Sequence, residues 1–239
     1  MHYPRVLITG NSSGLGLSLT GKLLEHGSEV YGLSRRGCPL THEGLHDIHC
    51  DLADRHAIQP ALDKLLADVS SLDLVVLNAG TLGKIQALHE TPLESLDEIM
   101  QINVWANKTL IDSLITRSIH CRQIVLISSG AGVRGNAGWG GYALSKAALN
   151  MLTQLYAHEL PETQINALAP GLMDTAMQDY LCGEADSGQF PSLQRLKAAR
   201  GTDNMPDADG AAGILLSRFP DLLQEPTGSF RDIRTWPQP

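Results

Sequence analysis

No stretch of this 239-residue chain stays apolar for longer than a strand requires, so no membrane-crossing helix is expected. The first strand begins by Arg5, which leaves no room ahead of it for a signal peptide, and a soluble, cytoplasmic protein follows as the expectation. Positive charge is also short. Lys plus Arg number 18 against 26 Asp plus Glu, so the net charge is 18 − 26 = −8. That balance argues against nucleic acid or an anionic membrane as the main partner, and any anionic ligand must be gripped by local geometry. The four cysteines (Cys38, Cys50, Cys121 and Cys182) are far apart and form no CxxC, which excludes a disulfide framework or a zinc knuckle and fits a reducing compartment. Nine histidines are present without an HExxH. Their nearest cluster, His42, His46 and His49, has no spacing that suits one face of a helix or strand, so no metal is expected. Linkers, repeats and low-complexity tracts are missing too, which leaves one domain over residues 1–239.

What is present is a repeating alternation. Val6 to Thr9 reads as a strand, Gly10 to Gly16 as a glycine turn, and the segment onward to about His26 as a helix. Further strands are expected at Glu29–Ser34, His46–Cys50, Leu72–Asn78, Gln123–Ser129, Ile165–Ala169 and Gly228–Ile233. Helices are expected over Asp54–Val69, Pro92–Ile119 and Tyr142–Leu160, where apolar residues recur at helical spacing. LDLVVLN and QIVLISS have no polar face, as befits parallel strands covered on both sides. Alternation of this kind predicts an α/β fold: a doubly wound parallel sheet of about seven strands with helices on both faces, the Rossmann arrangement. Residues 130–141 hold six glycines in twelve positions and read as a mobile loop beside the site.

Gly10, Gly14 and Gly16 fall where the first strand turns into the first helix. Backbone N–H groups and the helix dipole together favour a pyrophosphate there, so Gly10, Asn11, Ser12, Ser13, Gly14, Leu15 and Gly16 are candidate cofactor contacts, although glycines also make plain turns. At the end of the second strand, where an adenosine ribose would lie, stand Ser34, Arg35 and Arg36. No carboxylate is available there for a free 2′-hydroxyl, so NADP(H) is favoured over NAD(H), with Arg35 as the principal phosphate partner. A basic residue in place of Ser13 would have added to this; a solvated surface pair is the alternative. Asp51 and Leu52, just past the third strand, are placed near the adenine, and Asp51 could instead cap the following helix.

Tyr142 and Lys146 are four positions apart on a helix, one turn above the other. A free phenol has a pKa of about 10, and a neighbouring ammonium favours its phenolate, which would make the pair a proton donor and acceptor near neutral pH. With Thr9 to Gly16, Asn78-Ala79-Gly80, Ser129, Tyr142, Lys146 and Pro170-Gly171 in this order, the chain resembles the short-chain dehydrogenase/reductase family from the first strand to at least Thr175. The 13-residue separation of Ser129 and Tyr142 is also the family's, which selects Ser129 over Ser128.

The resemblance implies a catalytic set of Ser129, Tyr142, Lys146 and Asn103. Ser129 would polarise a carbonyl oxygen and Tyr142 would pass it a proton as hydride arrives from the nicotinamide. Lys146 would depress the tyrosine pKa and hold the nicotinamide ribose, and Asn103 would hold a water between Lys146 and solvent. It further implies that Asn78, Ala79 and Gly80 brace the sheet and flank the ribose, and that Pro170, Gly171, Met173 and Thr175 cradle the carboxamide. By the same likeness, residues 176–205 form a substrate-covering lid, whose Met177, Tyr180, Leu181, Phe190, Leu193 and Leu196, with Trp139, suggest an apolar carbonyl substrate or else a small lid core.

Two departures stand out. The link from Leu160 to Ile165 is short, and the ending Thr227 to Arg234 lacks the Gly-Gly pair of acyl-carrier-protein reductases, being closer to carbonyl reductases related to sepiapterin and benzil reductases. An NADP(H)-dependent carbonyl reductase or alcohol dehydrogenase is the leading expectation. An NAD-linked dehydrogenase of a ring alcohol or diol, or a dinucleotide sensor without turnover, remain the rivals. A homodimer or homotetramer pairing the two long helices is expected by analogy.

Overall fold

The computed structural model describes residues 2–183, 188 and 190–236. Along the chain run β1 (Arg5–Thr9), α1 (Gly14–Glu25), β2 (Glu29–Ser34), β3 (Leu45–His49), α2 (Arg55–Leu65), the short β4 (Ser71–Leu72) and β5 (Leu74–Leu77). There follow α3 (Leu93–Met100), α4 (Ala106–Thr116), the short β6 (His120–Cys121), β7 (Gln123–Ile127), α5 (Gly140–Glu159), β8 (Gln164–Ala169), α6 (Ala176–Gly183), α7 (Pro191–Ala199), α8 (Ala208–Leu222) and β9 (Phe230–Asp232).

Seven strands form one wholly parallel sheet in the order β3-β2-β1-β5-β7-β8-β9. The period of two along each strand explains why the central ones are apolar throughout. Leu7, Leu33, Val75, Leu77, Ile124 and Leu126 join one core with Leu62 of α2, Leu110 of α4 and Leu149 of α5. Their sequence neighbours Val6, Ile8, Leu74, Val76, Val125 and Ile127 join the opposite core with Leu19 of α1 and Leu215 and Phe219 of α8. Each such side chain contributes roughly 1.5–3 kcal/mol on leaving water, so both faces of the sheet are firmly covered. The expected single-domain α/β fold is therefore present, with helices on both sides.

Several expected boundaries shift. The strand expected over Leu72–Asn78 is broken at Asp73, whose N–H binds the Arg5 carbonyl at 2.9 Å while its carboxylate accepts the Arg5 N–H at 2.9 Å. Ser71 and Leu72 pair instead with β6 in a separate two-stranded ladder. The helix expected over Pro92–Ile119 is interrupted by a π-turn at Gln101–Trp105. Asn103, wholly buried there, accepts the Thr81 N–H at 2.8 Å and donates to the Thr81 carbonyl at 2.8 Å and to Ser145 Oγ at 2.9 Å. That three-way anchor holds the backbone out of α register. The glycine-rich segment is partly regular: Gly130–Gly132 is a 3₁₀ turn capped by Ser129, and Gly140 and Gly141 open α5. Of the C-terminal tail, Trp236 packs beside the Arg218 guanidinium, while residues 237–239 lie outside the described part of the chain.

Candidate active site

The chain leaves β1 outward to β2 and β3, then returns to lay β5 on the other side of β1. Crossovers on the two sides diverge at that reversal and open a crevice beyond the carboxyl ends of β1 and β5. A cavity of about 510 Å³ fills it. Its floor is the glycine turn, where Gly10 has φ +74° and donates its N–H to the Leu33 carbonyl at 2.8 Å. A Cβ on Gly16 would lie 2.2 Å from the Gly10 carbonyl oxygen, so only glycine lets α1 start this close to β1. Ser13 precedes α1 without making a side-chain cap, and no acidic residue occupies the first turn. The free N–H groups and dipole of α1 thus suit a pyrophosphate.

Gly10, Ser12, Ser13, Gly14 and Leu15 line the cavity. Gly16 sits beneath the turn, and Asn11 faces away, its Nδ2 on Asp47 Oδ1 at 2.7 Å, bracing the turn against β3. At the far end, Ser34, Arg35, Arg36, Asp51 and Leu52 all line the wall. The Ser34 hydroxyl is buried without a partner among the described residues, an opening for a ligand hydroxyl or phosphate. Arg36 reaches back over the turn to Ser13 Oγ at 2.9 Å and Ser12 Oγ at 3.5 Å. A guanidinium thus stands over Ser13 although position 13 carries none, a fact of tertiary placement that the sequence reading missed. Asp54, not Asp51, caps α2 by accepting the His56 N–H at 2.9 Å, and Asp51 instead accepts the Ala53 N–H at 3.0 Å.

Asn78 ties the ends of β5 and β1 together: its Nδ2 donates to the Thr9 carbonyl at 3.0 Å, and the N–H groups of Asn78 and Ala79 both donate to Thr9 Oγ1 at 3.0 Å. Asn78, Ala79 and Gly80 line the cavity. A Cβ on Gly80 would lie 3.6 Å from Lys146 Nζ, so this strand end reaches the buried lysine of α5.

Ser129, at the end of β7, and Tyr142 and Lys146, one turn apart on α5, line the same cavity. Ser129 Oγ accepts the Ala131 N–H at 3.1 Å, which fixes the hydroxyl and leaves its own proton to donate. Lys146 is buried, its Nζ 5.7 Å from the centre of the Tyr142 ring and 2.7 Å from the Ile127 carbonyl. That is the single hydrogen bond of its three donors among the described residues. Burial lowers the Lys146 pKa to about 8. Burial raises the Tyr142 pKa, and a hydrogen bond with Ser129 partly offsets the rise. The expected depression of the phenol by Lys146 does not appear: desolvation sets the direction, and the lowering influence comes from Ser129. Asn103 lies behind these residues rather than on the cavity wall, and Ser145 links it to α5 by donating to the Tyr142 carbonyl at 2.8 Å.

Pro170, Gly171, Met173 and Thr175 border the cavity at the end of β8, and the Thr175 methyl packs over Gly14. The apolar residues after them divide. Leu181, Phe190, Leu193 and Leu196 pack with Leu82, Ile85 and Met205 as a small core, and Tyr180 accepts the Ile85 N–H through its hydroxyl at 3.1 Å. Met177, Leu181 and Leu196 also face the cavity. Residues 184–187 and 189 of this segment lie outside the described chain. A second cavity of about 520 Å³ shares Ser129, Trp139, Pro170, Gly171, Leu172 and Leu196 with the first, and Arg134, Arg195 and Arg234 line it. No sequence signal marks these arginines, since they come from three distant segments.

Known proteins resemble this chain in sequence and in fold. A family model described as short chain dehydrogenase matches residues 4–184. A Bacillus subtilis protein named benzil reductase ((S)-benzoin forming) is 31% identical over 243 residues, covering 95% of this chain and 97% of its own. A Saccharomyces cerevisiae protein of the same name is 29% identical, covering 97% of each. Among solved structures, a short chain dehydrogenase/reductase from Saccharomyces cerevisiae superposes with a TM-score of 0.80 at 20% identity, covering 96% of this chain and 95% of its own.

Proposed function

The chain belongs to the short-chain dehydrogenase family, and from that premise we propose that this oxidoreductase is an NADP(H)-dependent carbonyl reductase with Tyr142 as its proton donor. The observation that carries the reading is the convergence of Ser129, Tyr142 and Lys146 on one cavity with the uncapped start of α1 and with Arg35 and Arg36. The residues fit a dinucleotide: the N–H groups of the glycine turn would hold its pyrophosphate, Arg35 and Arg36 would receive a ribose phosphate, and the two remaining donors of Lys146 would serve the nicotinamide ribose. When bound, the dinucleotide supplies or accepts hydride.

The protein supplies the proton and the polarising contacts. A carbonyl oxygen seated between Ser129 and Tyr142 receives the serine hydrogen bond, which strengthens as negative charge develops there. Tyr142, held protonated by burial, is an acid in the reductive direction. Lys146, still mostly charged at neutral pH, offsets the phenolate that proton transfer leaves behind. Relatives that carry the name benzil reductase support a diketone or aryl ketone as substrate. The segment 176–205 serves as the lid over it, and four cysteines unpaired with one another suit a reducing, cytoplasmic setting.

We also assign a homo-oligomer. Leu144, Met151 and Leu155 are exposed at helical spacing on α5, and Trp105 and Ile115 are exposed on the neighbouring helix, a face that a second copy would cover.

The test is absorbance-monitored turnover of benzil with each cofactor. NADPH should give the higher kcat/KM, and Arg35→Asp should weaken NADPH binding about tenfold more than NADH binding, the loss of one charge-assisted contact. Tighter NADH binding by the wild type would overturn the cofactor assignment, and absence of hydride transfer to any carbonyl would overturn the enzyme assignment.

A further inference from the structure

We propose that the substrate is an oxo acid, whose carboxylate is received between Arg134 and Arg195 in the second cavity while its carbonyl lies at Ser129 and Tyr142. The inference rests on the reductase reading and sharpens its substrate class. The second cavity opens on Ser129 itself, so a molecule bound at the catalytic hydroxyl extends into it.

Three guanidinium groups and one carboxylate line that cavity. Arg234 and Asp232 neutralise one another through two contacts, Nε to Oδ1 at 2.9 Å and Nη2 to Oδ2 at 2.5 Å. Two charges remain. Arg195 makes one long hydrogen bond, 3.4 Å, to the neutral Asn136 Oδ1. Arg134 makes no side-chain hydrogen bond or ion pair among the described residues. Two guanidinium groups that form no salt bridge among the described residues therefore face one cavity, and Asp232, already held by Arg234, is the one carboxylate whose charge also reaches Arg134. Arg117 pairs with Asp63 and Arg200 with Asp174 and Asp179, whereas Arg35 and Arg36, which face the first cavity, likewise form no salt bridge among the described residues.

The arginines are held near each other by the fold. Trp139, just before α5, donates its indole N–H to Ser192 Oγ on α7 at 2.8 Å, which ties the lid helix bearing Arg195 to the loop bearing Arg134. Planar forks of this kind pair in two-pronged fashion with a carboxylate. Val133, Trp139, Leu172 and Leu196 complete the wall and suit an aryl or alkyl body. The carboxylate is a handle and does not react: the carbonyl carbon gains hydride from the reduced dinucleotide and the oxygen gains the Tyr142 proton, giving a hydroxy acid. Because both arginines are solvent-exposed, the attraction should weaken with salt.

The experiment compares phenylglyoxylate, its uncharged methyl ester and benzil as substrates at low and high salt, with wild type, Arg134→Gln and Arg195→Gln. The wild type should prefer the acid to the ester by about tenfold at low salt, less at high salt, and each variant should lose most of that preference. An ester used as well as the acid, or a preference unchanged in both variants, would overturn the oxo-acid assignment, and so would turnover of benzil but not of phenylglyoxylate. Calorimetric titration of phenylglyoxylate into protein saturated with NADP⁺ reads the same pocket without turnover. Binding weakened about tenfold in the variants supports it, and no binding to the wild type overturns it. Should phenylglyoxylate bind in that arginine-dependent way while no carbonyl is reduced, the reductase reading alone would fail.

Discussion

At the scale of single residues the site is governed by what burial does to two ionisable groups. Desolvation holds the Tyr142 proton on and pushes the Lys146 proton off, and the two side chains stand 5.7 Å apart, ammonium to ring centre. Tyr142→Phe removes the proposed proton donor and keeps the ring, so kcat should fall by about a hundredfold to ten-thousandfold while NADPH affinity, read by fluorescence titration, stays close to that of the wild type. Lys146 makes a separate prediction about stability. Its folded pKa of about 8 lies below the ordinary 10.5, so between those values the unfolded chain holds the extra proton and stability from this group rises with pH. The rise amounts to about 3 kcal/mol across the window, and below about pH 8 the contribution is flat. Urea denaturation of the cofactor-free protein should show Lys146→Met losing that upward limb relative to wild type. Parallel curves for the two proteins from pH 8 to 10.5 would rule the shift out. The spacing of Tyr142 and Lys146 was legible because one helix sets it. The partnership of Arg36 with Ser13 was not, because the two residues meet only when β2 lies beside β1.

Among the elements, the junction of β1 and α1 is the most demanding. Its glycines are required by contact as much as by turning: a methyl group on Gly16 would press on the Gly10 carbonyl and on Asn78 Nδ2, which itself binds the end of β1. Gly16→Ala should therefore cost roughly 3 kcal/mol, the upper end of overpacking, and abolish detectable dinucleotide binding by calorimetry. A variant of wild-type stability that still binds would show that the turn has slack. The π-turn at Gln101–Trp105 is the element the sequence least disclosed. Apolar periodicity continues through it from Ile99 to Leu110, and the force that opens it is the anchoring of Asn103 to a loop more than twenty positions upstream. The break of the fourth expected strand at Asp73 has a similar origin, a side chain taking up a backbone donor on another strand.

For the whole molecule the question is what covers the outer face of the two long helices. Large apolar side chains at Leu144, Met151 and Leu155 are about half exposed, at 53% each, on the outer side of α5. Leu155→Glu should shift the protein toward monomers in size-exclusion chromatography with light scattering, at little cost to the monomer's own stability. An unchanged mass would place any subunit contact elsewhere. The same scale shows how two cavities come to share Ser129: the end of β7 faces the crevice beyond β1 and β5 on one side and, across the 3₁₀ turn, the cavity bounded by α7 and the C-terminal tail on the other.

By itself the sequence determined the alternation of strands and helices as far as β8, the glycine turn and the helical pairing of Tyr142 with Lys146, but not α8, because periodicity, turn chemistry and spacing act over a few residues. The tertiary structure decided which way Asn11 faces, that Asp54 rather than Asp51 caps α2, how Asn103 bends its helix, and that Arg134, Arg195 and Arg234 surround one cavity. Each of those depends on groups far apart in the chain meeting across the carboxyl edge of the sheet, where burial and competition for hydrogen-bond partners settle the outcome.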